Sequence, residues 1–135
     1  QQLSISLTVR LTGFAAEQDM AALFSAAELI LYPSLAEGFG LPILDAWAAR
    51  TPIIISDQTS LPEGAGSAAV QVDPFDCCGI ARTITRVLRD KQGRMALVRF
   101  GTQRLSQFTW RATAQRFIDA MESVVASRNT RRLAA

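Results

Sequence analysis

Residues 34–50 read SLAEGFGLPILDAWAAR and place two carboxylates, Glu37 and Asp45, on either side of a glycine-rich turn. Apolar runs flank this segment, LILY before it and PIIIS after it, and both are typical of buried strands. Glycines allow a ligand to approach the backbone closely, and carboxylates accept hydrogen bonds from hydroxyl groups. The segment therefore has the chemistry of a pocket for a phosphorylated or hydroxylated molecule.

The elements that must position this turn alternate along the chain between strands and helices. The predicted strands cover residues 4–11, 29–32, 53–56 and 68–72, and the predicted helices cover residues 18–27, 41–50, 76–90, 92–107 and 109–127. This order predicts an α/β fold, a Rossmann-like parallel sheet of about four strands with flanking helices. Ligands of such sheets bind outside the carboxyl ends of the strands, where Glu37 falls. The helix predicted after the turn adds unpaired N–H groups and a partial positive charge.

Apolar stripes predict which helix faces are buried. In the last helix, one stripe contains Trp110, Ala114, Phe117, Ile118, Met121, Val124 and Val125. We expect this stripe to pack on the sheet or on a neighbouring helix. Both Trp47 and Trp110 are predicted to belong to the core, because each lies on an apolar stripe.

Charge is distributed unevenly along the 135 residues, whose net charge is +2. Residues 1–76 carry two arginines and nine acids, a net −7, and residues 77–135 carry eleven arginines, one lysine and three acids, a net +9. Arg82, Arg86 and Arg89 recur on one face of a predicted helix, which favours a solvated outer face. No exposed aromatic residues alternate with these arginines, so no nucleic-acid partner is predicted.

The cysteine and histidine content argues against a disulfide, a metal site and a histidine base in this chain. Cys77 and Cys78 are adjacent, a spacing that rarely forms a disulfide and makes a poor metal site by itself. We interpret them as reduced thiols of a cytoplasmic protein. The chain contains no histidine, which excludes a histidine base or a histidine metal site within it.

The segment PSLAEGFGLPILDAWAARTPIIISD closely resembles the core motif of the retaining nucleotide-sugar glycosyltransferases of the GT-B fold, known as group 1 or family 4. That motif has Pro-Ser, then Glu-Gly-Phe-Gly-Leu-Pro, then a second acid that leaves seven residues between the two acids. The resemblance extends from about residue 9 to residue 120. It includes SLPEGAGSAAVQVDPFD after the motif and FTWRATAQRF, which resembles the aromatic-Trp start of the family's last helices.

The resemblance implies a role for each residue of the turn. Residues 1–127 would be part of the C-terminal donor-binding domain, and residues 128–135 a basic tail. Glu37 would lie near the donor sugar, and Asp45 would bind the ribose hydroxyls. The remaining donor contacts would come from backbone N–H groups, those of Gly38, Phe39, Gly40 and Leu41. The implied reaction moves a sugar from a nucleoside diphosphate to an acceptor hydroxyl with retention, and it requires no bound metal or cofactor.

Simpler interpretations of the same residues remain open. Glu37 could be a surface loop acid, and Asp45 could merely complement the dipole of its helix. Glu63 could line the nucleotide side of the pocket or could be a turn acid. Phe39 could be a packing anchor for the turn, with only its N–H group facing a ligand.

Departures from the family pattern favour a second hypothesis. The second acid is Asp45 where the family has Glu, and Arg50 stands at a helix end that usually carries Gly, which predicts strain of roughly 1 kcal/mol. The alternative hypothesis is therefore a degenerate, non-catalytic domain that serves as an interaction or scaffold module. A sugar-nucleotide epimerase would fit the fold but lacks support from the motif.

The resemblance also predicts what the chain does not contain. The family's paired Arg and Lys for the diphosphate, and its N-terminal acceptor-binding domain, would precede Gln1. We therefore expect the isolated chain to bind nucleoside diphosphate weakly and to transfer no sugar. The acceptor could be membrane-associated, which would place the parent enzyme in the cytoplasm or at the membrane periphery.

Overall fold

The structure, a computed structural model, describes residues 8–133 and the side chains of residues 8–126. Its elements are α1 (Glu17–Ala26), β1 (Ile30–Tyr32), α2 (Leu41–Ala48), β2 (Ile53–Ser56), α3 (Leu61–Ala65), β3 (Val70–Val72), α4 (Cys77–Arg89), α5 (Lys91–Leu105) and α6 (Trp110–Leu133). A 3₁₀ turn, Gly66–Ala68, connects α3 to β3. The predicted α/β class is confirmed.

The strands form a parallel sheet in the order β1-β2-β3. Tyr32 pairs with Ile55, and Ser56 pairs with Val72. Because the strands are parallel, their carboxyl ends lie at the same edge of the sheet. The loops that follow the three strands therefore gather at this edge.

The central strand β2 is buried on both faces, as its continuous apolar sequence predicts. Ile53 and Ile55 pack with residues of α2 and α3, and Ile54 packs on the other face with Val87 of α4. All three isoleucines are 0% exposed. Burial of each such side chain stabilises the fold by about 1.5–3 kcal/mol.

Helix α2 is held at its end by backbone hydrogen bonds and by one large side chain. The Arg50 N–H donates to the Trp47 carbonyl at 3.1 Å, and the Thr51 N–H donates to the Ala46 carbonyl at 2.9 Å, which is a Schellman motif. Arg50 accordingly has φ 57°, a left-handed conformation that explains the strain predicted at this position. Trp47 is 3% exposed, as predicted, and its Nε1–H donates to the Ala68 carbonyl at 3.2 Å.

Two expected features of the sheet edge differ in the structure. Residues 8–11 of the strand predicted at 4–11 are not in a strand, while residues 4–7 lie outside the described residues. Residues 8–11 are exposed, and no described strand pairs with them, so they have no ladder to join. The interval between β2 and β3, for which no helix is predicted, contains α3, which begins with Leu61 and Pro62. Proline suits the first turn of a helix.

The prediction for the last helix is wrong. Its apolar stripe does not pack on the sheet: Trp110 is 90% exposed, Phe117 is 67% exposed and Met121 is 54% exposed. Amphipathic spacing predicts an apolar face but does not supply a neighbour to cover it. The helix also continues to Leu133, beyond the predicted end near residue 127.

Helix α4 has the expected division of faces. Ile80, Ile84 and Val87 face the core, and Arg82, Arg86 and Arg89 are exposed. Across residues 8–133, no helix combines the length and the apolar character needed to span a bilayer.

Candidate functional site

Glu37 and the turn 38–41 lie at the carboxyl edge of the sheet, at the beginning of α2. Strand β1 ends at Tyr32, and α2 begins at Leu41, so the turn fills the interval between them. The loop after β2 and the beginning of α3 lie against the same turn. This is the placement that the sequence predicts.

Gly40 fixes the shape of the turn. It is the N-cap residue of α2, with φ 88°, in the left-handed region that other residues rarely adopt. A Cβ atom at this position would collide with Leu61 Cδ2 and would lie 3.2 Å from Ile43 Cδ1. The turn thus packs directly on α3 and α2, where only glycine fits.

The turn presents unused backbone donors. Within the part of the chain that the structure describes, none of the backbone N–H groups of residues 38–41 donates a hydrogen bond to the protein. No side chain caps the helix, because Gly40 has none to offer. These N–H groups, with the partial positive charge of the helix end, suit an anion or a hydroxyl oxygen.

The Glu37 carboxylate is held by two hydroxyl groups. The Tyr32 hydroxyl donates to Glu37 Oε1, and the Ser34 Oγ–H donates to the same oxygen at 2.8 Å. Because both donors favour the charged form, they hold the pKa of the Glu37 carboxyl below its usual value of 4.5. Glu37 is therefore a carboxylate at neutral pH and acts as a hydrogen-bond acceptor.

The backbone of Glu37 is fixed by the loop after β2. Its N–H donates to Thr59 Oγ1 at 3.1 Å, and its carbonyl accepts from the Ser60 Oγ–H at 2.8 Å. Thr59 has φ 52°, a left-handed conformation that is uncommon for a β-branched residue. Sequence reasoning missed these partners. The only signal was that Thr59 and Ser60 follow the neighbouring strand.

A cavity of about 410 Å³ adjoins the turn on the side of Gly38 and Phe39. Its other lining residues come from three segments and are Ser60, Glu63, Gly64, Arg104, Gln107, Phe108 and Arg116. The Phe39 and Phe108 rings meet edge-to-face with their centroids 5.7 Å apart, so Phe39 does anchor the turn by packing. Arg104 donates to the carbonyls of Gly64 and Glu63 at 2.6 and 2.9 Å.

The two arginines of this cavity were not foreseen from the sequence. Arg104 lies 40 residues from Gly64 along the chain, and Arg116 lies in α6. Nothing in their local sequence distinguishes them from the other arginines of the basic half. Glu63, by contrast, was a candidate, and it does line the cavity.

Asp45 is placed differently from Glu37. It lies within α2, four residues after Leu41, so Leu41 and Asp45 share one face of the helix, and both are exposed. The structure thus places Glu37 and residues 38–41 in one turn, with Asp45 one helical turn further along.

Comparison with known proteins identifies the family. The model of the group 1 glycosyl transferases matches residues 1–90. The chain belongs to this family. Among individual relatives, O-antigen chain mannosyltransferase B of Escherichia coli is 37% identical over 112 residues, which is 83% of this chain and 29% of that protein. MMP alpha-(1->4)-mannosyltransferase of Mycolicibacterium hassiacum is 32% identical over 129 residues, covering 93% of this chain and 31% of that protein.

Solved structures agree with the group 1 assignment. Sucrose-phosphate synthase from Thermosynechococcus elongatus superimposes with a TM-score of 0.77 at 28% identity, over 91% of this chain and 32% of that protein. The Rossmann-like GT-B architecture predicted from the motif is thereby confirmed. The chain spans less than a third of the length of these three proteins.

Proposed function

We propose that this chain is the donor-binding part of a retaining glycosyltransferase, which moves a sugar from a nucleoside diphosphate sugar to an acceptor hydroxyl. The observation that carries the proposal is the turn at the sheet edge. There Glu37 stands as a carboxylate beside backbone N–H groups that have no partner in the described chain. The hydroxyl groups of a sugar can donate hydrogen bonds to the Glu37 carboxylate, and the oxygens of a diphosphate can accept hydrogen bonds from the backbone N–H groups.

The proposed reaction divides the work between these groups. The bond from the anomeric carbon to the phosphate oxygen breaks with its electron pair remaining on that oxygen, the acceptor oxygen bonds to the anomeric carbon, and the proton of the acceptor hydroxyl passes to the leaving diphosphate. Negative charge then develops on the leaving diphosphate. The N–H groups of residues 38–41 and the start of α2 would stabilise this charge. Glu37 would accept a hydrogen bond from a sugar hydroxyl, and Asp45 would contact the ribose.

The remaining parts of the reaction are assigned to the rest of the parent enzyme. The acceptor-binding domain and the cationic pair for the diphosphate would lie in sequence that the longer relatives possess. Charge-assisted hydrogen bonds to phosphate contribute about 1.5–3 kcal/mol each. Without two of them, the isolated chain should bind its donor about two to four powers of ten more weakly and transfer no sugar.

The test is a titration of the chain with GDP-mannose, UDP-glucose, GDP and UDP, followed through the NMR signals of the Gly38 and Gly40 amides. We expect weak, saturable shifts of both amides, with a sugar-dependent gain for one donor. Glu37→Gln should abolish that gain, because a charged hydrogen-bond acceptor is lost. We expect the affinity for that sugar nucleotide to fall by at least about tenfold. Binding of the nucleotide alone should be unchanged.

The matched control is Glu28→Gln, which removes an exposed carboxylate between α1 and β1. It should leave all four affinities unaltered. Equal loss in both variants would contradict a specific role for Glu37. Micromolar binding of GDP and GDP-mannose alike, unaffected by Glu37→Gln, would show that the pocket lies elsewhere.

A second candidate function is a non-catalytic interaction module. The shortened acid at Asp45 and the left-handed Arg50 favour it, because both depart from the family pattern at the site's own helix. The same titration separates the two candidates. Absence of any shift at Gly38 and Gly40 with all four ligands would favour the module.

A further inference from the structure

The two oxygens of the Glu37 carboxylate have different surroundings. Oε1 accepts both hydroxyl hydrogen bonds, from Tyr32 and from Ser34. Oε2 accepts none from the described residues. One oxygen is therefore occupied by the protein, and the other is left with its lone pairs available.

The two hydroxyl donors are fixed by the sheet. Tyr32 is the last residue of β1 and pairs with Ile55 of the central strand, which is fully buried. Ser34 follows after Pro33, whose ring restricts the backbone between the two donors. Both side chains are half-buried. The position of Oε1 is thus fixed relative to the central sheet through the end of β1.

We propose that Tyr32 and Ser34 are positioning residues that hold Glu37 as a carboxylate and direct its Oε2 towards a hydroxyl of the donor sugar. This inference rests on the function proposed above and adds two residues to it. A carboxylate fixed in this way accepts a hydrogen bond but donates none. The site should therefore select a group with an O–H at this position.

The pKa shifts that the surroundings impose on Tyr32 and Glu37 agree with this geometry. Tyr32 and Ser34 lower the pKa of the Glu37 carboxyl. Burial first, and then the hydrogen bond and charge of Glu37, raise the pKa of Tyr32 from 10.0 to about 12. A neutral phenol is therefore the donor throughout the range between the two pKa values, in which Glu37 is charged.

The first experiment tests the contact without any ligand. Tyr32 is the only tyrosine of the chain, so the ultraviolet absorbance of phenolate reports this residue alone. We expect the pKa of Tyr32 to lie near 12 in the native protein and to fall in Glu37→Gln, where the negative charge is removed. An unchanged pKa of Tyr32 in folded Glu37→Gln would overturn the inference, whatever the chain binds, because burial alone would then account for the raised pKa.

The second experiment tests the consequence for binding. Tyr32→Phe and Ser34→Ala should each weaken binding of the sugar nucleotide selected in the preceding titration by about three- to tenfold, and leave binding of its free nucleotide unchanged. Ser25→Ala is the matched control, because the Ser25 hydroxyl only donates to the Ala21 carbonyl in α1. It should alter neither affinity.

The outcomes separate the inference from the function on which it rests. If the unaltered chain shows sugar-dependent binding and both variants retain it, the positioning role is refuted and the proposed function stands. If the variants lose both ligands together with thermal stability, their role is structural and the inference is again refuted. If the unaltered chain binds no sugar nucleotide while the pKa of Tyr32 still falls in Glu37→Gln, the proposed function has failed and the contact is merely structural.

Discussion

Gly40 occupies a backbone position that the surrounding side chains leave open only to glycine. Its φ of 88° and the nearness of Leu61 act together, since one disfavours any side chain and the other fills the space it would need. Gly38, two residues earlier, has no positive φ, and no atom lies within 4 Å of the place that an added Cβ would take. The backbone conformation and the packing therefore require glycine at position 40 but not at position 38.

Alanine should destabilise the protein at Gly40 and should have little effect at Gly38. Gly40→Ala should lower the free energy of unfolding by about 2–4 kcal/mol, from the left-handed backbone and the overlap with Leu61. Gly38→Ala should change it by less than about 0.5 kcal/mol, since the side chain meets open space. Urea unfolding of both variants measures the difference. Equal stability of the two would contradict the packing described for Gly40.

At the residue scale, the sequence predicts the contiguous part of the site and misses the rest. Glu37 and the turn that follows it can be recognised because they adjoin along the chain and precede a helix. Thr59 and Arg104 are brought to the site only by the fold. Thr59 lies 22 residues along the chain from Glu37, and Arg104 lies 40 residues from Gly64. A single sequence carries no signal for such contacts, because their side chains are ordinary in their own segments.

At the scale of the elements, most helix boundaries follow from local chemistry. Asp76 and Asp90 each accept a hydrogen bond from an N–H three residues later, at 2.8 Å, and so cap α4 and α5. Both helices begin within a residue of their predicted starts. The faces of α1 and α6 were not predictable in the same way. Their apolar residues stay largely exposed, because burial depends on a neighbour and not on spacing.

The exposed face of α6 should contribute little to the stability of this chain. Ile118→Ala should change the free energy of unfolding by less than about 0.5 kcal/mol, because Ile118 is 48% exposed. The matched core substitution, Ile55→Ala, should cost about 2–5 kcal/mol, because Ile55 is 0% exposed. Thermal unfolding of the two variants gives the comparison. A comparable loss in both would mean that α6 packs on the fold.

At the scale of the whole molecule, the two oppositely charged halves meet at the site. The acidic half supplies the sheet and the turn with Glu37, and the basic half supplies Arg104 and Arg116 to the adjoining cavity. The charge pattern predicted solvated faces, which holds for the arginines of α4. The fold class itself was predictable, because alternating strands and helices admit few parallel arrangements.

The contrast between Trp47 and Trp110 gives the molecule two built-in fluorophores with opposite surroundings. Trp47 is buried in the core, while Trp110, the first residue of α6, is 90% exposed. The chain has no other tryptophan. Emission should therefore divide into a short-wavelength component that iodide cannot quench and a long-wavelength component that it can. The first follows the integrity of the fold, and the second responds to whatever approaches the start of α6. The variants Trp47→Phe and Trp110→Phe would each retain one tryptophan, so that each emission component could be measured separately.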